Sequence, residues 1–521
     1  MKRFFNTAGP CNPVDHYMLP AEKRLPTVRR LIEQKQYFVV HAARQSGKTT
    51  TFQSLAESLA AEGNYTVLLT TCEAAQASQA DLDRGMAALL GTLAQDAAIA
   101  LPAELRPPAA NPELEPEIRL RDLLIRWAQN CPKPIVLFLD EIDSLQDELL
   151  LSVLRQLRSG YPKRPKHFPQ SIALIGLRDV RDYKVRLRPE IATLGTASPF
   201  NIKVESLTLA NFEPAEVAEL YAQHTSSTGQ LFEEGAAARA WELTRGQPWL
   251  VNALARQAVE VLEPDPSRPI NLETIEAAKE KLIVRRDTHL DSLIERLREP
   301  RVQRVLGPLI AGEMLGPEVR EDDLRFVQDL GLVVLTPTGA EIANPIYREV
   351  LPRALGQLLE VSLPFESRTY LSADGRLDLD RLLEAFQRFW RESEEILLPN
   401  APYAEAAAQL IFMAFLHKVV NGGGTIDREY ATGRGRIDLL IRWPHPKGLD
   451  RHALELKVWR DGRTHPLAEG LDQLSAYLDR LSLESGTLVI FDQRRKSAGK
   501  KEESRSAEHS HQGRSIRVVY C

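Results

Sequence analysis

Cysteine is scarce and scattered: four residues in 521, at Cys11, Cys72, Cys131 and Cys521. None has the spacing of a metal knuckle, and four distant thiols do not make a disulfide framework, so a reducing compartment is expected. No uninterrupted apolar run reaches the roughly 18–20 residues of a membrane-crossing helix. The opening Met1-Lys2-Arg3-Phe4-Phe5 is not followed by an apolar stretch, because Asn6, Gly9, Pro10 and Asp15 intervene. A cytoplasmic protein without a secretory leader or membrane partner is therefore expected. Neither sign of charge dominates: 66 Lys and Arg face 71 Asp and Glu, for a net charge of −5. That balance does not advertise a nucleic-acid binder by bulk electrostatics, although it leaves room for a local basic face. The 43% hydrophobic and 26% charged content excludes a disordered or fibrous chain. At about 150 residues per domain the length corresponds to three or four domains.

Periodicity divides the chain. Tyr37–Ala42, Tyr65–Thr70, Ile135–Asp140 and Ser171–Leu177 are short runs rich in β-branched and aliphatic residues, expected as buried strands. Helical patterns separate them at 49–62, 79–98 and 117–130, after a helix near 25–34. Alternating strands and helices predict a mostly parallel sheet covered on both faces. From about residue 213 the pattern turns helical, with several short helices over 286–355 and a strand expected near Gly331–Leu335. A charged helix at 379–395 connects to a last block, in which an apolar helix at 403–420 precedes strands at 436–441, 453–458, 487–491 and 516–520. Residues 493–514 are polar and carry Lys496, Lys500, Lys501 and Arg505. They read as a hairpin loop, with contact to a DNA backbone as the alternative.

The first strand runs into Ala42-Ala43-Arg44-Gln45-Ser46-Gly47-Lys48-Thr49. Apart from Ala42 in place of the first glycine, this is a phosphate-binding loop. Such a loop aims backbone N–H groups and a helix N-terminus at phosphate. Lys48 is expected at the β- and γ-phosphates and Thr49 on Mg²⁺. The third strand ends in Asp140-Glu141-Ile142-Asp143. A carboxylate at that strand end helps hold the metal, which assigns Asp140 to Mg²⁺ and Glu141 to the general base. Asp143 reads as a helix cap.

With these motifs the N-terminal two-thirds resembles the prokaryotic AAA-like, STAND-type P-loop ATPases. The resemblance rests on Phe5-Asn6-Thr7-Ala8-Gly9-Pro10, Asp15-His16-Tyr17, Arg44–Thr50, Leu139-Asp140-Glu141, Ser198–Ile202 and Arg245-Gly246-Gln247-Pro248. It implies an ATP and Mg²⁺ site that includes Arg44, Gln45, Ser46, Gly47, Lys48, Thr49, Thr50 and Asp140. It also implies that the segment before the first strand lies against adenine, and that Gly246 and Pro248 sit near the nucleotide in a helical lid. Arg178 is left between a γ-phosphate contact and a surface ion pair, and Arg181 is a weaker candidate for service to a neighbouring subunit. Residues 286–355 resemble the winged-helix domain that follows such a lid. The helix there opens on Glu321, Asp322 and Asp323, which fits an intramolecular regulatory role at least as well as DNA contact.

In the last block, Gly433–Asp438 enters one strand and Leu454-Glu455-Leu456-Lys457 lies on the next. Alternate strand residues share a face, so Glu455 and Lys457 point the same way and a hairpin can bring Asp438 beside them. Two carboxylates and a lysine so placed can hold Mg²⁺ and a water for phosphodiester attack. This resembles the PD-(D/E)xK nuclease superfamily. The resemblance implies Asp438 and Glu455 as metal ligands, Lys457 as the catalytic lysine, Glu405 as an accessory acidic ligand and Gln473 in a Gln-x-x-x-Tyr helix. His445, His452 and His465 read as loop residues without a ligand frame, and Trp127 and Trp390 as core.

The expected architecture is α/β. It comprises a P-loop ATPase core with a parallel sheet at 1–205, a helical lid at 206–285 and a winged helix at 286–360. A helical connector at 361–400 leads to an α/β restriction-endonuclease-like domain at 401–521. The function it implies is ATP-gated, Mg²⁺-dependent cleavage of nucleic acid, DNA before RNA, with self-association on ATP binding and a place in defence or mobile-element biology. Two alternatives stand beside it: a nucleotide-dependent switch or scaffold that binds nucleic acid without cutting, and a repair or replication motor with nuclease processing.

Overall fold

A computed structural model describes residues 3–78, 81–177, 203–285, 295–311, 313–317, 319–360, 370–400, 406–420, 423–429, 438–494 and 506–521. The chain divides into two compact units, Met1–Leu282 with Asp329–Gly331, and Ile283–Gln328 with Leu332–Cys521. Among the described residues no helix is long and apolar enough to cross a membrane.

The first unit is built on five strands: β1 (Tyr37–His41), β2 (Thr66–Thr71), β3 (Ile135–Asp140), β4 (Ser171–Gly176) and β5 (Lys203–Thr208). They are all parallel, in the order β2-β3-β4-β1-β5. Every residue of β3 and β4 is buried, as strands covered on both faces require. The two-residue alternation divides the core. Tyr37, Val39, Leu137, Leu139 and Leu174 pack under α3 (Leu82–Ala100), α4 (Pro116–Asn130) and α5 (Asp147–Gly160). Phe38, Val40, Val136, Phe138 and Ile175 face the opposite side, with α1 (Val28–Glu33) and α2 (Lys48–Ala61). The Asp81 side chain caps α3 by accepting from Arg84 N at 3.0 Å. Four helices follow: α6 (Pro214–Thr228), α7 (Ala236–Thr244), α8 (Pro248–Arg256) and α9 (Leu272–Arg285). Glu213 and Glu216 close a reciprocal capping box at the start of α6.

In the second unit, α10 (Pro300–Ile310) and α11 (Glu321–Asp329) precede a hairpin of β6 (Val333–Thr336) and β7 (Gly339–Ile342), then α12 (Pro345–Glu360). After α13 (Leu379–Asn400) and α14 (Ala407–Val420) come β8 (Thr425–Glu429), β9 (Asp438–His445), β10 (Gly448–Trp459), α15 (Leu467–Leu481), β11 (Ser485–Asp492), β12 (Ser506–His511) and β13 (Arg514–Tyr520). These six strands form a mixed sheet in the order β12-β13-β11-β10-β9-β8. β10 runs parallel to β11 and antiparallel to β9. One face is covered by α13 and α14, through Phe386, Trp390, Ile411, Phe412 and Phe415. The other is covered by α15, through Leu471, Leu474, Tyr477 and Leu478.

Trp127 and Trp390 are core residues, as read from the sequence. The reading of 493–514 as a loop is corrected at Ser506–His511, which form β12 against β13. That edge strand alternates exposed and half-buried polar residues, so it emits no hydrophobic signal. His445 and His452 lie in β9 and β10 rather than in loops. β5, β7 and β8 were not legible as strands, and β6 was expected without its partner. The Arg178, Arg181 and Ser198–Ile202 readings lie outside the described residues.

Phe138 is fully buried on β3, with its ring edge-on to Phe52 at 5.0 Å. Phe138→Ala is expected to cost about 3–5 kcal/mol. Urea unfolding of the full chain followed by far-ultraviolet circular dichroism checks this, and a loss below about 1 kcal/mol would contradict the packing assigned to the sheet.

Candidate functional site

β1 delivers the chain to the loop, and β4 separates β1 from β3, so the loop and the β3 terminus line one end of the sheet. Gln45 and Gly47 take positive φ, +58° and +85°, which turns the backbone tightly enough to open α2 at Lys48. Lys48 is 8% exposed, and its Nζ donates to the carbonyls of Ala42 at 2.8 Å and Ala43 at 3.0 Å. Burial pushes this ammonium below the usual lysine range, against the opposing pull of Glu141, Asp143 and Asp140. Thr49 Oγ1 donates to Asp140 Oδ2 at 2.7 Å, joining the two expected metal ligands across the strand gap. Ser46 Oγ is buried without a hydrogen-bond partner. Thr50 Oγ1 accepts from Cys11 N at 3.0 Å, which fastens the N-terminal segment to the start of α2.

Asp140 is buried, and its Oδ1 accepts from Glu141 N at 2.8 Å. Glu141 itself sits at φ +52°, a left-handed position unusual for a side chain of its size. Burial raises its carboxyl pKa, and Asp143 and Asp140 raise it further. A carboxylate moved toward neutrality at a strand end suits proton transfer from water. Asp143 is not a helix cap, as the sequence suggested: its Oδ1 accepts from Leu177 N at 3.0 Å, tying the ends of β3 and β4 together.

The Gly246-Gln247-Pro248 turn reaches the same loop through Gln247 alone among the described residues. Gln247 Nε2 donates to Gln45 O at 3.5 Å, while its side-chain oxygen caps α8 by accepting from Leu250 N at 2.6 Å. Gly246 has φ +69°, and a Cβ there would lie 1.8 Å from Phe212 O, so only glycine fits. Pro248 opens α8, where a missing N–H costs nothing. Arg44 is exposed on the loop.

Arg24 escaped the sequence reading. Its NH1 stands 3.8 Å from the position a Cβ on Gly47 would take. Its guanidinium donates to Ala210 O at 2.5 Å and lies over the Phe212 ring at 4.6 Å. Burial pushes its pKa down to about 10, with Glu216 opposing. A basic residue two positions ahead of Pro26 looks in sequence like any solvated charge, so nothing marked it.

The arrangement supplies a tight anion-binding turn, a lysine held at its mouth, a hydroxyl beside a carboxylate for a divalent cation, and a second carboxylate biased toward accepting a proton. Residues 29–183 match the family model described as the AAA domain. This region is an AAA-type P-loop ATPase domain. The loop, Lys48, Thr49 and Asp140 fit the ATP and Mg²⁺ that such domains take up. No curated protein matches the chain. Among solved structures, a Walker-type ATPase of Pyrococcus abyssi is similar at 16% identity and a TM-score of 0.46, over 67% of this chain and 99% of that one. The RuvB Holliday junction branch migration motor of Thermotoga maritima is similar at 17% and 0.34, over 62% and 90%. Aeropyrum pernix Orc1, solved in complex with DNA, is similar at 13% and 0.35, over 66% and 94%.

The second cluster lies on the α15 side of the C-terminal sheet. Glu455 is 0% exposed, and Lys457, 8% exposed, places Nζ 3.3 Å from Glu455 Oε1 and 3.4 Å from Glu469 Oε1. Lys457 Nζ also donates to Gln473 Oε1, and Gln473 Nε2 donates to Glu469 Oε1 at 2.8 Å. Backbone register sets Asp438 directly opposite Glu455. The structure thus gathers Glu455, Lys457 and Gln473, adds Glu469, and places Asp438 by register alone. Glu405 lies outside the described residues. Among the described residues no group of three or more His, Cys, Asp or Glu side chains is placed to hold a metal ion.

Glu141→Gln is expected to slow ATP hydrolysis by about 10²–10⁴-fold while ATP binding persists. Because the folded-state pKa of Glu141 is raised, its contribution to stability is fully present below the ordinary carboxylate range and is lost as pH rises through the folded value. The nucleotide-free Gln variant should therefore melt above wild type at pH 7–8, with the gap closing near pH 4. Hydrolysis assays and thermal melts across pH check both parts, and unchanged turnover would exclude Glu141 as the base.

Proposed function

We propose that the chain is an ATP-gated, Mg²⁺-dependent nuclease acting on nucleic acid, DNA in preference to RNA. One observation carries the reading: Glu455 and Lys457 share a face of β10, the antiparallel neighbour sets Asp438 opposite Glu455, and Gln473 of the next helix bonds Lys457. The element order helix, three antiparallel strands, helix, parallel strand supports a PD-(D/E)xK-like core. In this reading Asp438 and Glu455 hold the metal, with Glu405 as an accessory ligand. The ion supplies Lewis acidity and an activated water. Lys457 stabilises the charge gathering on the attacked phosphate, and Gln473 fixes the lysine's position. A carboxylate buried beside a lysine carries a desolvation cost that apolar packing would avoid, which favours a functional origin for the pair.

The AAA domain binds ATP, and its occupancy sets the activity of the C-terminal domain by shifting the population of a cutting-competent state. Residues 206–285 act as the lid, residues 286–360 as a winged-helix relay and residues 361–400 as the connector, with ATP favouring self-association. This is a STAND-type arrangement.

One observation favours a second reading, a nucleotide-dependent switch that binds nucleic acid without cutting it. The start of α11, where a winged helix would meet DNA, is acidic, and Asp323 there is held by Arg304 at 2.8 Å. That end of the helix repels phosphate.

Full-length wild type, Asp438→Ala and Lys457→Ala, incubated with Mg²⁺, ATP and linear or circular DNA, separate the readings. Cleavage by wild type, stopped by chelation and reduced at least about 100-fold in each variant, is expected. Variants that cut as fast as wild type would overturn the site, and cleavage confined to RNA would overturn the preference for DNA.

A further inference from the structure

Acidic side chains are missing from one long stretch of the chain. From Leu149 to Leu177 there is no Asp or Glu, although acids make up about one residue in seven overall, and the stretch carries Arg155, Arg158, Lys163, Arg164 and Lys166. Arg155 and Arg158 are exposed on α5, three residues apart and so neighbours on its surface. Lys163 and Lys166 are exposed in the turn that follows, which His167 N closes by donating to Lys163 O at 3.0 Å. Two contacts fix that turn. The Phe168 ring fills the space a Cβ on Gly160 would need, and the Arg164 guanidinium lies on the Tyr161 ring at 3.3 Å. Arg164 also donates to Lys35 O, which sets Lys35, itself exposed, beside the turn.

β3, β4 and β1 are parallel and adjacent, so the chain enters all three at one end of the sheet and meets the phosphate-binding loop at the other. Lys35 precedes β1 and the 163–167 turn precedes β4, which puts both at the entering end, about 20 Å from the loop along a six-residue strand. Arg158, in the last turn of α5, comes to the same end as the chain passes on to β4. Lys35, Arg155, Arg158, Lys163 and Lys166 have no carboxylate partner among the described residues. Of the acids that close α1 and α2 there, Glu33 is exposed and Glu62 is held by Arg29 at 2.5 Å. The dipole of α5 favours a cation at its C-terminus, which accounts for Arg158 but not for the other four.

We propose that this end of the ATPase sheet docks the phosphate backbone of a DNA duplex without reading its sequence. Five unpaired cations on fixed elements suit a polyanion, in a chain whose net charge of −5 would otherwise repel one. Among the described residues of 28–36 and 149–177 no large hydrophobic side chain is exposed. A protein partner or an inserted membrane helix would want apolar anchors there, whereas phosphate contacts need only charge and donors. A duplex held on this face leaves the nucleotide loop free. The choice of partner rests on the nucleic-acid reading above, but it requires no cutting.

The test uses the full-length protein in chelator, so that nothing is cut. Fluorescence anisotropy measures binding of two DNA duplexes of unrelated sequence from about 50 to 200 mM salt. Arg155→Ala, Arg158→Ala, Lys163→Ala and Lys166→Ala are combined in one variant. Each lost phosphate contact takes about 0.9 from the slope of log affinity against log salt, so the variant's slope should be shallower by about 3–4. Both duplexes should weaken alike, by at least about tenfold. ATP binding in Mg²⁺ should match wild type, since the face lies away from the loop. A variant whose slope and affinity stay at the wild-type values would overturn the proposal, even where the C-terminal domain still cuts DNA. So would a wild-type slope shallower than about 3, a result that needs no folded variant. A variant that loses binding to phosphatidylserine vesicles while keeping DNA would also overturn it and assign the face to lipid headgroups. The nuclease reading fails separately, when Asp438→Ala and Lys457→Ala cut as fast as wild type.

Discussion

A single buried ammonium organises the N-terminal unit. Lys48 sits at the first position of α2, nearly sealed from solvent, and its charge is satisfied by two carbonyls of its own loop. Isolated in an apolar interior this cation would be untenable. The positive-φ turn at Gln45 and Gly47 bends the loop around it, and three carboxylates at the β3 terminus offset its burial. Burial, with Asp143 and Asp140 beside it, pushes the Glu141 carboxyl upward, against the opposing pull of Lys48. Anion binding and proton acceptance thus stem from one charge balance. The bond between Thr49 and Asp140 extends that balance across β4, linking the loop after β1 to the end of β3.

The helices that follow β5 are bound to this centre through small, specific contacts. Gly246 is pressed against Phe212, Phe212 lies under Arg24, and Arg24 lies beside Gly47. Trp249 and Arg256 grip Thr7 while Cys11 grips Thr50. The N-terminal segment, the loop and α8 are thus held in one network of bonds. That geometry suits a domain whose nucleotide state must be felt beyond its own loop.

The parts of this architecture that were legible in the sequence are those with strong local signals. β1, β3 and β4 announced themselves as continuous aliphatic runs because both of their faces are covered. The loop and the Asp140-Glu141 pair stood at strand ends, where chemistry concentrates in open α/β sheets. Less could be read where packing, not periodicity, decides. β12 is a polar edge strand, β8 ends in three consecutive charged residues, Asp427, Arg428 and Glu429, and β7 is only four residues long. Asp143 looked like a cap because an aspartate before a helix usually is one, yet its oxygen is taken by the N–H of Leu177, just past β4. Arg24 and Glu469 carry no motif. For Arg24 and Glu469 the importance comes from neighbours 23 and 12 positions away, at Gly47 and Lys457. In the C-terminal domain, Glu-x-Lys on β10 was read correctly as a same-face pair, and the Gln473 bond to Lys457 required the fold of α15.

Control of the C-terminal chemistry by the nucleotide is the central claim, and one measurement addresses it directly. Initial rates of DNA cleavage by the full-length protein with Mg²⁺ should be compared without nucleotide, with ADP and across an ATP titration, in wild type and Lys48→Ala. The account expects wild-type cleavage to rise with ATP occupancy, and the Lys48→Ala rate to stay at the nucleotide-free level at every ATP concentration. Cleavage that requires Glu455 but proceeds at the same rate with and without ATP would contradict it, leaving two independent enzymes in one chain.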